Sequence, residues 1–201
     1  MSTTSEHFTQ AAERFDRSPT SQQLSAMAEK IWPLLALDPK QHWLDFGAGT
    51  GVLSVPLAQH VAQVTALDTS AAMLERLAAK QVANITILNQ DIFSGLDQHY
   101  DGIISSMALH HVAETQRLLH CMRQALVSGG QLALIDLYAE DGSFHGDNDA
   151  KGVKHLGFEP DVLMQQAEQV GFHQLKLQHI FSIEKRTGQS YPLFLLLGTA
   201  R

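Results

Sequence analysis

Cysteine is almost absent from this 201-residue chain, in which Cys121 stands alone. One thiol can neither close an internal disulfide nor build a cysteine-rich metal cluster, so the fold must hold without either staple. Within the amphipathic run LLHCMRQAL it reads as a small core residue rather than a reactive thiol. Positive charge is scarce too: 14 lysines and arginines face 21 acidic residues, a formal charge of −7. No window carries the basic run that a phosphate backbone demands, and eleven scattered histidines make no stripe even when protonated, so nucleic acid is not an expected partner. Long hydrophobic runs are also missing. The first thirty residues contain no greasy centre of about 7–15 residues, so no signal peptide or membrane span is expected there and the expected location is the cytoplasm.

What the chain does have is enough apolar material, 44% against 17% charged residues, to bury a sizeable core. Its length suits one domain, 1–201, with a helical cap over 1–38 and an irregular insert over 139–160. Apolar spacing predicts two opening helices, 5–17 and 21–37, broken at Ser18-Pro19. Short apolar runs then alternate with amphipathic ones. Strands are expected at 42–47, 63–68, 85–91, 100–107 and 130–138, with helices at 51–60, 70–81 and 113–127 between them. A helix near 161–171 precedes two β-rich runs whose connection is too short for anything but an antiparallel pair. The expected fold is α/β: a Rossmann-like, doubly wound seven-stranded sheet, mostly parallel, with a C-terminal antiparallel hairpin and helices on both faces.

The stretch LDFGAGTG places Gly47, Gly49 and Gly51 at the turn from the first strand into a helix. Such a turn lets backbone approach a ligand and aims N–H groups at it. Its spacing is G-x-G-x-G; the dinucleotide fingerprint would need glycine at Val52, and no Lys-Ser/Thr pair follows for a P-loop, so pyrophosphate is disfavoured. Asp68 ends the second strand, nineteen residues after Gly49, where a carboxylate can accept from both hydroxyls of a ribose. Asp91 follows the third strand, placed to accept from an adenine amine. Each acid alone could be a turn or cap residue; their occurrence at successive strand ends is what points to a ligand.

Together LDFGAGTG, ALDTS, NQDIF, YDGIISSMALHHV and LVSGGQLALIDLY resemble the ordered motifs of class I S-adenosylmethionine-dependent methyltransferases. In style they are similar to the small-molecule group that includes ubiquinone and menaquinone biosynthesis enzymes, over roughly residues 8–138. The resemblance implies S-adenosylmethionine as cofactor. It implies that Gly47 and Gly49 pass beside its methionine and ribose, that Gly51 opens the helix, and that Asp45 meets the amino-acid moiety or orients the loop. Asp68 would hold the ribose hydroxyls, Met73 flank the adenine, and Asp91 with the Ile92 backbone bind the adenine edge. Ser106 would offer its carbonyl to the cofactor amine and Met107 would line the cleft, with Ala48 and Thr69 in the same shell. Phe15 stands where many relatives carry a lid tyrosine; it can close a lid but cannot donate a hydrogen bond.

Methyl transfer from a sulfonium is an in-line displacement, so the enzyme's work is alignment and exclusion of water, helped by a base where the acceptor must lose a proton. His111, in LHHV after the fourth strand, and His155, in the insert, are the candidate bases, with His110 and His145 as neighbours in sequence. His145, Asp147, Asp149 and His155 offer imidazole and oxygen ligands close together, but their glycine-rich surroundings read as a solvated loop, and no metal is expected. Phe144, Leu156 and Phe158 are expected to line an apolar acceptor site. The expected partner is a small-molecule acceptor, with no nucleic acid and no membrane; the sequence leaves the oligomeric state and the methylated atom open. Two other readings stay open: a binding or regulatory protein that holds the cofactor without turnover, and an enzyme using a carboxylated cofactor, for which Arg17 is the nearby cation.

Overall fold

The computed structural model describes residue 16 and residues 18–201. The predicted helix at 5–17, and with it Phe15 and Arg17, lies outside the described residues. Helix α1 (Pro19–Ile31) begins where Ser18 caps it, its hydroxyl accepting from the Ser21 N–H at 3.1 Å, with Pro19 in the first turn where no N–H is needed. It buries Leu24, Met27, Ala28 and Ile31, the 3.6-residue stripe read from the sequence. It stops short of residue 37. Pro33 cannot donate to the preceding turn, and the chain tightens into a 3-10 turn, Trp32–Leu34.

Seven strands form one sheet: β1 (His42–Phe46), β2 (Gln63–Asp68), β3 (Ile85–Asn89), β4 (Tyr100–Ser106), β5 (Leu126–Leu137), β6 (Phe172–Glu184) and β7 (Ser190–Ala200). Their order is β3-β2-β1-β4-β5-β7-β6, and β7 pairs antiparallel with both neighbours while the pairings of β1 to β5 are parallel. This is the expected Rossmann-like sheet with its antiparallel hairpin. The chain winds outward from β1 through β2 to β3, then crosses back to β4, so a crevice opens between the carboxyl ends of β1 and β4.

Alternation along the central strands feeds two cores. Trp43, Ile104, Ala133, Ile135, Leu193 and Leu195 face α1, whereas Leu44, Ile103, Leu132, Leu134, Phe194 and Leu196 face the opposite side. That second side is covered by α4 (Thr115–Ala125) and α5 (Pro160–Gln169). Between the strands on the other half of the sheet lie α2 (Ser54–Leu57) and α3 (Ala71–Ala78). The helix expected over 51–60 shrinks to the single turn of α2, because Pro56 removes one ladder donor in its middle. β5 starts earlier than expected, at Leu126, because the Ser128-Gly129-Gly130 stretch is absorbed as an irregularity in its register with β4. At the far edge, β6 carries two register shifts and exposes Lys176 and His179, features that discourage edge-to-edge pairing. No helix among the described residues is long and apolar enough to cross a membrane.

Candidate active site

The glycine loop sits at the mouth of the β1/β4 crevice and is fixed from both sides. Gly47 and Ala48 donate to the Leu67 carbonyl at 2.9 and 3.1 Å, tying the loop to β2. Gly47 has φ +68°, and a Cβ there would lie 2.3 Å from the Ala108 Cβ, so only glycine lets the turn after β4 come this close. Gly49, at φ +55°, is different: among the described residues, a Cβ built on it meets nothing within 4 Å. The loop therefore presents backbone to open space at Gly49. Gly51 abuts the Leu77 side chain of α3 and seats the loop on that helix.

Asp68 organises this presentation. Its Oδ2 accepts from the Gly49 N–H and its Oδ1 from the Ser70 N–H, both at 2.8 Å. Each carboxylate oxygen keeps a second lone pair for a ligand hydroxyl. Burial raises the Asp68 pKa, and the N–H donors of Ser70 and Gly49 pull it back down. Asp45 lies deeper, 2% exposed, with its Oδ2 accepting from the Ser54 hydroxyl at 2.5 Å. Burial pushes its pKa up to about 7. It thus braces the strand end against α2. Asp91 is exposed and caps the 3-10 turn Ile92–Ser94, accepting from the Phe93 N–H at 2.9 Å, while Ile92 is buried beneath it. Thr69 is exposed at the end of β2, and Met73 is buried in the first turn of α3, 3% exposed.

Across the crevice, β4 ends in Ser106 and Met107. Met107 adopts φ +57°, an uncommon conformation for a side chain larger than glycine, so the backbone reverses sharply there. The Ser106 hydroxyl is buried and has no hydrogen-bond partner among the described residues. Over the loop, Thr50 donates its hydroxyl to the Asp16 carboxylate, and Lys80 joins both, 3.1 Å from Asp16 Oδ2 and 2.8 Å from the Thr50 carbonyl. Asp16 thus reaches the glycine loop.

The histidines gather on the β5 side. His110 is buried, 1% exposed, and its Nδ1 lies 2.7 Å from Oδ1 of Asp136, itself 0% exposed. Asp136 also accepts from the backbone N–H groups of His110 and Leu137. The other ring nitrogen of His110 meets Nε2 of His145 at 2.9 Å. Burial, and then the neighbouring His110, His111, Lys151 and Lys185, hold the His145 pKa down near about 3, so its ring is neutral at physiological pH. His111 is half-buried, with Nδ1 3.3 Å from the Gly152 carbonyl.

His155 goes elsewhere. Its Nε2 contacts the Val112 carbonyl at 2.9 Å and the Thr115 hydroxyl at 3.1 Å, and the residue lines a surface depression with Thr115, His120 and Gln166. The insert is also not the solvated loop expected from its glycines. Its neck closes through Ala139 to Phe158 and Glu140 to Leu156 backbone bonds, and the backbone N–H groups of Lys154 and His155 both donate to the His110 carbonyl. Phe144 and Phe158 are buried in the two cores rather than lining an acceptor site, and Leu156 is exposed. The physical reason is proximity: both ends of the insert emerge beside the His110 turn, whose carbonyl and ring supply partners that a sequence cannot show.

Residues 44–132, which run from the glycine strand to the middle of β5, match the family model described as a methyltransferase domain. Over this stretch the chain carries a methyltransferase domain. Among relatives of this methyltransferase domain, a trans-aconitate 2-methyltransferase of Deinococcus radiodurans is 36% identical over 112 residues, 55% of this chain and 43% of that protein. The chain spans about half the length of the curated relatives it matches first. Solved structures share the fold at low identity. The DhpI-SAM-HEP complex superposes with a TM-score of 0.74 at 18% identity, covering 98% of this chain and 95% of its own. An S-adenosylmethionine dependent methyltransferase from Mesorhizobium loti gives 0.69 at 21%, covering 85% and 97%.

Two features of the site escaped sequence reasoning. Asp136 sits inside an apolar strand, ALIDLY, and an acid in a run that must be buried is itself a signal that a partner waits for it. The Asp16–Thr50–Lys80 cluster joins three elements far apart in sequence, and no local pattern announces it. Cys121 is half-buried beside the second core, with its thiol pKa raised by burial, in keeping with a packing role.

Proposed function

We propose that this protein transfers the methyl group of S-adenosylmethionine to a small-molecule acceptor. The observation that carries the reading is the space that the described residues leave open at Gly49, with the Asp68 carboxylate on its N–H and, at the end of β4, a Ser106 hydroxyl without a partner among those residues. A backbone cradle, a carboxylate with spare lone pairs and an unmatched polar group are what a nucleoside bearing an amino acid would need.

In this reading Gly47, Ala48, Gly49 and Gly51 supply backbone that lets the cofactor lie flat against the loop. Asp68 accepts from the ribose hydroxyls with Thr69 beside it, and Asp91 accepts from the adenine amine while the Ile92 backbone and Met73 bound the base. Ser106 receives the cofactor amine at its carbonyl and Met107 shapes the cleft. Asp45 acts from below by bracing the strand end on Ser54. The lid role is assigned to Phe15, which precedes Asp16 in sequence. The cofactor, when bound, supplies an electrophilic methyl on a sulfonium. The protein aligns acceptor and methyl, keeps water out, and offers His111 to take a proton from an acceptor that must lose one. His155 is given no proton-transfer role, since its Nε2 already serves the Val112 carbonyl.

Calorimetric titration of cofactor-stripped protein tests the reading, with S-adenosylmethionine, S-adenosylhomocysteine and NADH as ligands. Micromolar binding of the first two alone supports it and justifies a screen of small carboxylic acids, phenols, amines and thiols. Absence of binding by either overturns it.

A further inference from the structure

Three imidazoles converge where the insert meets the turn after β4. The ligand nitrogens of His110, His111 and His145 all lie within 4.8 Å of one another, and the ring centroids are 4.2 to 5.6 Å apart. We infer that His110, His111 and His145 form a three-histidine site for a divalent transition-metal ion of the zinc class, with Asp136 as the outer carboxylate that orients His110.

The proton arrangement on His110 is the strongest part of the argument. Asp136 accepts from Nδ1 at 2.7 Å, which places the proton on that nitrogen and leaves Nε2 with its lone pair. That lone pair points at His145 Nε2, 2.9 Å away. A neutral His145 with its proton on Nε2 donates to that lone pair; in the other His145 tautomer two lone pairs face the same point, and a metal ion between them satisfies both. A histidine whose second nitrogen donates to a buried carboxylate is the usual arrangement for a metal ligand, because the carboxylate fixes the tautomer and makes the ligating nitrogen more basic. Asp136 is 0% exposed, next to the last residue of β5, a costly place for an acid that only filled space.

The geometry is close to that of a tetrahedral ion. Zinc–nitrogen bonds of about 2.0–2.1 Å put ligand nitrogens about 3.3 Å apart, so the His110–His145 gap opens slightly and the third ring swings inward. His111 and His145 are only half-buried. Three protein ligands leave a fourth position open, the pattern of sites that bind an exchangeable water or substrate rather than purely structural ones. The His110 turn packs on the glycine loop through Ala108 and Gly47, so the ion sits beside the crevice. Its use there rests on the methyl-transfer proposal: an acceptor hydroxyl or thiol held at the fourth position would lose its proton to solvent and, as the anion, attack the sulfonium methyl, the S–C bond breaking with its electrons left on the sulfur of S-adenosylhomocysteine; no base at His111 would then be needed. Whether the site forms does not rest on that proposal.

The test uses the full chain, tag-free and stripped with chelator. Zinc is titrated by calorimetry, and cobalt by the visible absorption that a tetrahedral nitrogen site produces. One ion per chain is expected, with zinc displacing cobalt. His145→Ala should weaken binding at least ~10-fold, and Asp136→Asn about 10–100-fold. His179→Ala, on the exposed edge strand, should leave it unchanged. Where His145→Ala fails to fold, His111→Ala replaces it, and a zinc-dependent rise in melting temperature of the wild type gives a second readout. No uptake by the folded wild type, or uptake undiminished in a folded ligand variant, overturns the site. A protein that binds zinc but not S-adenosylmethionine keeps this inference and loses the methyl-transfer proposal; the reverse result separates them the other way.

Discussion

The two banks of the crevice are built by different means. On the β1/β2 bank, the ligand-facing surface is backbone: glycines at positive φ and N–H groups held by one carboxylate. On the β4/β5 bank it is side chain: a buried aspartate, three rings and an insert that folds back from more than thirty residues away, as in the His110–His145 pair with a separation of 35. The first design tolerates no bulk and the second tolerates no loss of polarity. Variants should fail differently on the two banks, and that difference is what the following experiments break or sharpen.

The largest effect is expected from Gly49→Val, which puts a branched side chain into the space kept open for ligand and forces a β-branched residue to φ +55°. S-adenosylmethionine affinity should fall beyond calorimetric detection, and a thermal melt should show that the chain still folds. Unimpaired binding would mean that the ligand does not pass this point. Next comes Asp136→Asn on the other bank. With one of the buried oxygens that accept from His110 and Leu137 turned into a donor, unfolding free energy should drop by about 2–3 kcal/mol in a urea titration, with far less effect on cofactor affinity.

Asp68→Ala should show the converse, a cofactor affinity lower by about 1–3 kcal/mol from the lost charge-assisted bonds, read by the same calorimetry. A pH experiment on Asp45 probes the base of the same bank. Its folded pKa of about 7 stands above the unfolded value of 3.8, so the stability it contributes is complete below the unfolded value and is lost as pH rises toward 7. Asp45→Asn should flatten that part of the stability profile between pH 4 and 7; an unchanged slope would assign the loss to other groups. The smallest effect is expected from His155→Ala, which should leave cofactor affinity within about 0.5 kcal/mol, since its ring contacts Val112 and Thr115 outside the crevice.

Legibility follows the same division. The sheet, its hairpin and the glycine turn could be read because each rests on a local period or a local residue type: alternation in ALIDLY and LFLLLG, glycine at the loop, acids at strand ends. Helix ends were read less well, at Pro33 and Pro56, where one missing N–H outweighed a continuing apolar stripe. The insert was misread in its character, because glycines that suggest solvation in sequence serve here as turns that carry the chain back to His110.

By itself, the sequence determined the fold class, the position of the glycine loop and the acids that could serve it, since these depend on periodicity and on spacing within one β-α unit. Only the tertiary structure decided which histidines meet, that Asp136 faces His110, and that His155 turns away. Side-chain chemistry of that kind depends on where distant segments cross, and a linear pattern carries no distance between Asp136, His110 and His145 until the sheet has set it.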